Sequence, residues 1–99
     1  MNLKKSVEIL IIDDDIGDNE LIKQSLKQIN IVENLSSVFS GHDAIAFLQK
    51  QKNFTSAKTP NLIILDLNMP GMDGFEVLHW IKSHALYKTI PTVIFFTSN

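Results

Sequence analysis

Three absences limit what this sequence can encode, and the first two concern cysteine and arginine. Without cysteine there is neither a disulfide framework nor a thiolate metal site, a composition compatible with a reducing compartment. All nine basic residues are lysines, and the net charge is −2. Because arginine supplies the bidentate contacts that hold phosphates and bases, direct nucleic-acid binding is not expected.

The third absence is a long apolar run. No stretch approaches the roughly 18 apolar residues of a membrane span, and the first residues lead directly into a strand-like segment rather than a signal peptide. We therefore expect a cytoplasmic protein with no membrane partner. The 99 residues, of which 44% are apolar, leave room for one packed domain, which we assign to residues 1–99.

The apolar residues alternate between two kinds of pattern. Four stretches have the length of strands: 7–12, 35–39, 62–65 and 92–96. Three stretches between them have helical spacing: 21–29, 45–48 and 77–81. The near-continuous apolarity of the strands is typical of a parallel sheet covered on both faces, so the order β-α-β-α-β-α-β predicts a doubly wound α/β domain.

Acidic residues follow two of the predicted strands. Asp13, Asp14 and Asp15 come directly after the first strand, and Asp66 ends the third. Neighbouring strands of an open α/β sheet end at one crevice, where two carboxylates about 5 Å apart repel by roughly 3 kcal/mol. Such a cluster needs a proton or a cation, and an all-oxygen ligand set favours Mg²⁺. The sequence therefore predicts a Mg²⁺ site.

The loop that Asp66 opens contains a proline and two glycines, which favour a tight turn. Together with the pair Asp13 and Asp14 and with Thr97 and Ser98 after the fourth strand, it resembles the receiver domain of two-component response regulators. The resemblance covers essentially the whole chain and implies the flavodoxin- or CheY-like strand order 2-1-3-4. The family's fourth helix, fifth strand and fifth helix have no counterpart, so we expect a receiver that is incomplete at its C-terminus.

The resemblance also implies a role for each site residue. Asp66 would be the phosphoacceptor, taking a phosphoryl group from the phosphohistidine of a sensor histidine kinase. Asp14 would bind Mg²⁺ directly and Asp13 largely through water, while Asp66 and the backbone carbonyl of Asn68 would complete the ligands. Thr97 would hydrogen-bond the phosphoryl group and so switch the conformation. Such a protein catalyses only its own phosphorylation and dephosphorylation, and the sequence indicates no particular downstream partner.

Two other functions stay open beside this one. A Mg²⁺-dependent phosphohydrolase of the haloacid dehalogenase type also uses a strand-end aspartate, but it needs a carboxylate two residues later. That position is Asn68, which cannot transfer a proton. A pseudo-receiver that acts only as an interaction module would be expected to lose the acidic residues, and all of them are present. The family's lysine at the end of the fifth strand, however, has no counterpart here.

Several other residues are assigned to structural roles. Four aspartates are expected at helix starts or facing solvent: Asp15, Asp18, Asp43 and Asp73. Trp80 is interpreted as half-exposed packing on the third helix. The apolar last strand is expected to form an open sheet edge, by which two copies can pair as a homodimer or a swapped dimer.

Overall fold

The computed structural model describes residues 7–30, 32–71 and 74–96. Strands and helices alternate along them as the apolar pattern predicts. The strands are β1 (Val7–Ile12), β2 (Val32–Val38), β3 (Leu62–Asp66) and β4 (Thr92–Phe95). The α-helices are α1 (Ile16–Leu26), α2 (Gly41–Leu48) and α3 (Gly74–Ser83), and a short 3-10 helix covers Lys52–Phe54.

The four strands form one parallel sheet in the order β2-β1-β3-β4, which confirms the predicted topology. The central pair is β1 and β3, whose register runs from Ile9 opposite Leu62 to Ile12 opposite Leu65. One residue further along, Asp13 directly after β1 and Asp66 at the end of β3 therefore lie at the same edge of the sheet. This register is what brings the two acidic segments together.

The central strands are buried on both faces because helices cover both sides of the sheet. Side chains on one face join a single core with α2 and α3: Leu10, Ile12, Ile63, Leu65, Phe47, Val77 and Ile81 belong to it. Ile9 and Ile11 alternate onto the opposite face, where α1 packs against β1 and β2, and they are also buried. The apolar run Ile9–Ile12 of β1 thus has the origin that the sequence suggested, since its residues are buried on both faces of the sheet.

The edge strands differ from the sequence prediction in detail. β2 begins at Val32, three residues earlier than expected, and includes the polar residues Asn34, Ser36 and Ser37. Within the described ranges β2 pairs with β1 alone, and an edge strand tolerates polar side chains that a central strand would not. At the other edge, β4 has apolar side chains in solvent: Val93 is 54% exposed and Ile94 is 46% exposed.

Helix α1 confirms the predicted helix but buries a residue that the apolar pattern does not indicate. Leu21 is 65% exposed, and Ile29, beyond the end of the helix, is 45% exposed. Ile22 and Leu26 are half-buried, and the one buried residue of α1 is Asn19. The inner face of α1 therefore centres on a polar side chain. No helix in the described part of the chain has the length and apolarity that crossing a membrane requires.

Candidate functional site

The ends of β1 and β3 bring three carboxylates to one place. Asp13 and Asp14 follow β1 directly, and Asp66 is the last residue of β3. Each of the three offers a carboxylate oxygen that lies within 4.8 Å of the oxygens of the other two. Residues 53 positions apart in the sequence, Asp13 and Asp66, are neighbours because β1 and β3 are parallel and in register.

The three carboxylates differ in their surroundings. Asp13 and Asp66 are fully buried, whereas Asp14 is exposed. The N–H of Asp15 donates to Asp13 Oδ1 at 3.0 Å, and the N–H of Asn68 donates to Asp66 Oδ1 at 2.9 Å. Asp13 Oδ2 is buried without a hydrogen-bond partner. A buried carboxylate oxygen without a donor is costly, and a cation or a proton bound at this atom would offset that cost.

The protonation of Asp13 reflects this environment. Burial raises the pKa of its carboxyl from the ordinary 3.8 to about 6, and repulsion from Asp66 and Asp18 acts in the same direction. The hydrogen bond from the Asp15 N–H opposes the increase in pKa. At neutral pH Asp13 is therefore ionised at a cost to the folded state, which a cation beside it would offset.

The residues present fit a hard divalent cation. The described cluster consists of carboxylates and includes no histidine or cysteine. Oxygen donors of this kind suit Mg²⁺, Mn²⁺ or Ca²⁺, and a small number of protein ligands leaves room for the waters that Mg²⁺ retains. The exposure of Asp14 gives a cation a route to the two buried carboxylates.

The loop after β3 is fixed to the core on both sides of Asn68. Leu67 and Met69 are buried, while Asn68 between them is exposed beside the cluster. The N–H of Leu67 also donates to the carbonyl of Phe95 in β4 at 2.8 Å. The backbone that carries Asp66 and Asn68 is thus held by two side chains that belong to the hydrophobic core and by a hydrogen bond to β4.

Gly74 lets α3 begin directly against this loop. A β-carbon at position 74 would collide with the backbone of Asp66 and Leu67. A glycine is required here by close approach of two backbone segments rather than by a special dihedral angle.

Replacing Gly74 with alanine is expected to lower the free energy of unfolding by about 2 to 3 kcal/mol, because α3 or the Asp66 backbone must move. Urea denaturation measures the loss. Gly71→Ala is the matched control: its site is open, but its φ of 75° disfavours a side chain, so a smaller loss of about 1 kcal/mol is expected. Equal losses for the two variants would contradict the close-approach explanation.

Three of the residues singled out from the sequence lie outside the described residues: Asp73, Thr97 and Ser98. The register of β4 is nevertheless clear at its end, where Phe95 pairs with Asp66. Among the aspartates assigned to helix starts, Asp15 is the N-cap of α1, with its side chain accepting from the Asp18 N–H at 2.8 Å.

Sequence reasoning missed Asn19, the buried polar residue that borders the site. Its Nδ2 donates to the carbonyl of Asp13 at 3.1 Å and to that of Val38 at 3.3 Å. The available signal was its spacing: positions 19, 22 and 26 lie on one face of a helix, so Asn19 shares the inward face with Ile22 and Leu26.

Comparison with known proteins identifies close similarity at the level of sequence. The family model described as the response regulator receiver domain matches residues 9–99. Response regulator Rcp1 of Synechocystis sp. is 42% identical over 91 residues, which cover 92% of this chain and 62% of Rcp1. The two-component response regulator ARR17 of Arabidopsis thaliana is 30% identical over 103 residues, covering 99% of this chain and 66% of ARR17. The chain thus spans 62% and 66% of the length of these two relatives.

Solved structures show the same similarity in three dimensions. The phosphorylated cyanobacterial phytochrome response regulator RcpA superposes with a TM-score of 0.86 at 36% identity, over 94% of this chain and 66% of that one. The Mn²⁺-bound form of response regulator Rcp1 gives a TM-score of 0.85 at 41% identity, over 94% of this chain and 67% of that one.

Proposed function

The chain belongs to the response regulator receiver domain family, and on that premise we propose that it accepts a phosphoryl group on Asp66 in a Mg²⁺-dependent step of a two-component phosphorelay. The donor is the phosphohistidine of a sensor histidine kinase. The observation that carries the proposal is the buried carboxylate of Asp66 at the end of β3, within 4.8 Å of two further carboxylates.

The covalent step requires only that Asp66 be a positioned nucleophile. One of its carboxylate oxygens forms a bond to phosphorus while the phosphorus–nitrogen bond of the phosphohistidine breaks. The ring nitrogen leaves with the electron pair, and the product is an acyl phosphate. The Asn68 N–H fixes Asp66 Oδ1, and the packing of Leu67 and Met69 fixes the backbone, so the carboxylate is oriented before the donor arrives.

The metal is assigned to the acidic cluster. Asp14 and Asp66 would hold Mg²⁺ directly, Asp13 largely through water, and the backbone carbonyl of Asn68 would complete the protein ligands. When bound, the ion neutralises charge on the phosphoryl oxygens and helps to orient them. The unpaired Oδ2 of Asp13 and the Mn²⁺ in the Rcp1 structure both support a divalent ion here.

Thr97 is proposed as the residue that reads the modification. Its hydroxyl would donate to a phosphoryl oxygen once the acyl phosphate has formed, a contact available only in the phosphorylated state. A contact present in one state alone shifts the population toward that state. The pairing of Phe95 with Asp66 supports this role, because Thr97 follows β4 by two residues.

Acetyl phosphate with Mg²⁺ tests the proposed reaction directly. Intact mass spectrometry is expected to show one phosphoryl group added per chain, and omission of Mg²⁺ or addition of EDTA is expected to prevent it. Continuous release of phosphate without an adduct would instead indicate a hydrolase. The absence of both adduct and turnover, in a sample that binds Mg²⁺, would contradict phosphoryl transfer and leave an interaction module.

Mg²⁺ binding is expected to weaken as the pH falls through 6. Asp13, with a pKa of about 6, takes up a proton in this range, and the proton competes with the cation. We expect roughly tenfold weaker binding at pH 5 than at pH 7.5, since each unit below the pKa costs about a factor of ten. The loss of affinity is measured as a smaller Mg²⁺-induced increase in melting temperature at pH 5 than at pH 7.5, each relative to a metal-free sample. Equal increases at both pH values would contradict the prediction.

A further inference from the structure

Asn19 connects the acidic cluster to the interior of the fold. It is 1% exposed, and its Nδ2 donates to two carbonyls: that of Asp13, which carries the buried carboxylate, and that of Val38, the last residue of β2. The N–H of Asp13 also donates to the Val38 carbonyl, at 3.2 Å. The Asp13 residue is therefore held at both its N–H and its carbonyl.

The orientation of the amide is determined by its neighbours. Both contacts of the amide nitrogen are carbonyl oxygens, which accept and do not donate, so the NH₂ group must face them. The other amide atom, Asn19 Oδ1, is then buried without a hydrogen-bond partner. An apolar side chain of the same shape would avoid that cost, but it would also remove the donor from the Asp13 carbonyl, so the amide is held here by its contact with the backbone of the acidic segment.

Asn19 also borders a small turn around Asp14, which it contacts through both its backbone N–H and its side chain. The Asp15 N–H donates to Asp13 Oδ1, and the Asn19 N–H donates to the Asp15 carbonyl at 3.0 Å. With Asn19 Nδ2 on the Asp13 carbonyl, the residues on both sides of Asp14 are tied to α1. The plane of the peptide that joins Asp13 to Asp14 is thereby fixed, and with it the direction in which the exposed Asp14 leaves the backbone.

We propose that Asn19 is a positioning residue for the cation site, acting through the Asp13 carbonyl to set the arrangement of Asp13 and Asp14. The inference rests on the proposed Mg²⁺ site, and it adds a residue outside the acidic cluster that determines how well the site is formed. Residues that orient ligands without touching the ion typically change metal affinity by 10- to 100-fold when they are replaced.

Asn19→Leu tests the proposal, because leucine has nearly the shape of asparagine but no donor. Mg²⁺ affinity, measured by isothermal titration calorimetry at pH 7.5, is expected to fall at least tenfold. Tyr87→Phe is the matched control: it also removes a buried side-chain donor, since Tyr87 Oη donates to the carbonyl of Leu48, the last residue of α2, at 3.0 Å, and neither residue belongs to the acidic cluster. We expect it to leave Mg²⁺ affinity unchanged even if it lowers the melting temperature as much.

The rate of adduct formation from acetyl phosphate gives a second readout. In Asn19→Leu it is expected to be slow at low Mg²⁺ and to approach the wild-type rate at saturating Mg²⁺, because the nucleophile itself is unaltered. Asn19→Ala replaces Asn19→Leu if the leucine variant does not fold. Wild-type Mg²⁺ affinity in a folded Asn19 variant would overturn the positioning role alone, whereas a wild-type protein that binds no Mg²⁺ would overturn the proposed site itself.

Discussion

Replacing Asp66 with asparagine is expected to abolish the phosphoryl adduct while leaving the fold intact. An amide oxygen is a far weaker nucleophile than a carboxylate, and the product would lack the acyl phosphate that makes transfer possible. Removing a nucleophile of this kind lowers the rate by at least roughly a thousandfold. Because asparagine also removes a buried negative charge beside Asp13, the variant is not expected to be less stable than the wild type.

Intact mass after incubation with acetyl phosphate and Mg²⁺ measures the effect, and peptide mapping of the wild type locates the adduct. Asp43→Asn is the matched control, since it removes the same charge from the first turn of α2, outside the acidic cluster. It is expected to accept the phosphoryl group at the wild-type rate. An adduct of undiminished yield on the Asp66→Asn protein would show that another residue is the acceptor.

The position of Asp66 was predictable because two strong patterns meet there. The apolar runs of β1 and β3 are nearly continuous, as is typical of strands covered on both faces, and each run leads into or ends at an aspartate. Parallel strands paired in register must end together, so the proximity of Asp13 and Asp66 follows from topology alone. The loop glycines and proline then reduced the number of families that fit.

The burial of Asn19 was not predictable from the same kind of pattern. An apolar repeat indicates that a helix forms, but it ranks residues by hydrophobicity and so overlooks a buried amide. Buried Asn19 donates hydrogen bonds to the carbonyls of Asp13, just after β1, and of Val38, at the end of β2. Whether a helix residue reaches these carbonyls depends on how α1 crosses the two strands. Leu21, by contrast, extends into solvent although its side chain is apolar.

The bounds of the edge strands were also less predictable from hydrophobicity than those of the central strands. β2 contains asparagine and serine within its length, so hydrophobicity alone placed its start at Leu35 rather than Val32. Hydrogen bonding to β1, which is continuous from Asn34 to Val38, overrides the weak propensity of those residues. The contact of Thr97 with a phosphoryl group stays a prediction, because that residue lies outside the described ranges.

Asp13→Asn is expected to have the second large effect, and in metal-free protein the effect is stabilising. The folded-state pKa of Asp13 is raised from 3.8 to about 6, so the folded protein binds a proton more tightly than the unfolded chain does. Stability linked to this group is fully present below pH 3.8 and is lost as the pH rises through 6. At pH 7 the ionised carboxyl therefore destabilises the fold, and an uncharged amide removes that cost, by about 1 to 2 kcal/mol after its own desolvation.

The same substitution is expected to remove most of the stabilisation by Mg²⁺, because one of three clustered carboxylates is lost; a hundredfold weaker affinity corresponds to about 3 kcal/mol of binding free energy. Urea denaturation from pH 4 to pH 8, with and without Mg²⁺, separates the two effects. Without metal, the difference between variant and wild type is expected to be near zero at pH 4 and maximal above pH 6.

Asp14→Asn removes the same charge from an exposed side chain, so its metal-free stability should stay within about 0.5 kcal/mol of the wild type while its Mg²⁺ response is also lost. A metal-free Asp13→Asn protein that is less stable than the wild type at pH 7 would mean that the buried carboxylate supports the fold rather than opposing it, and the cluster would then need no cation to explain it.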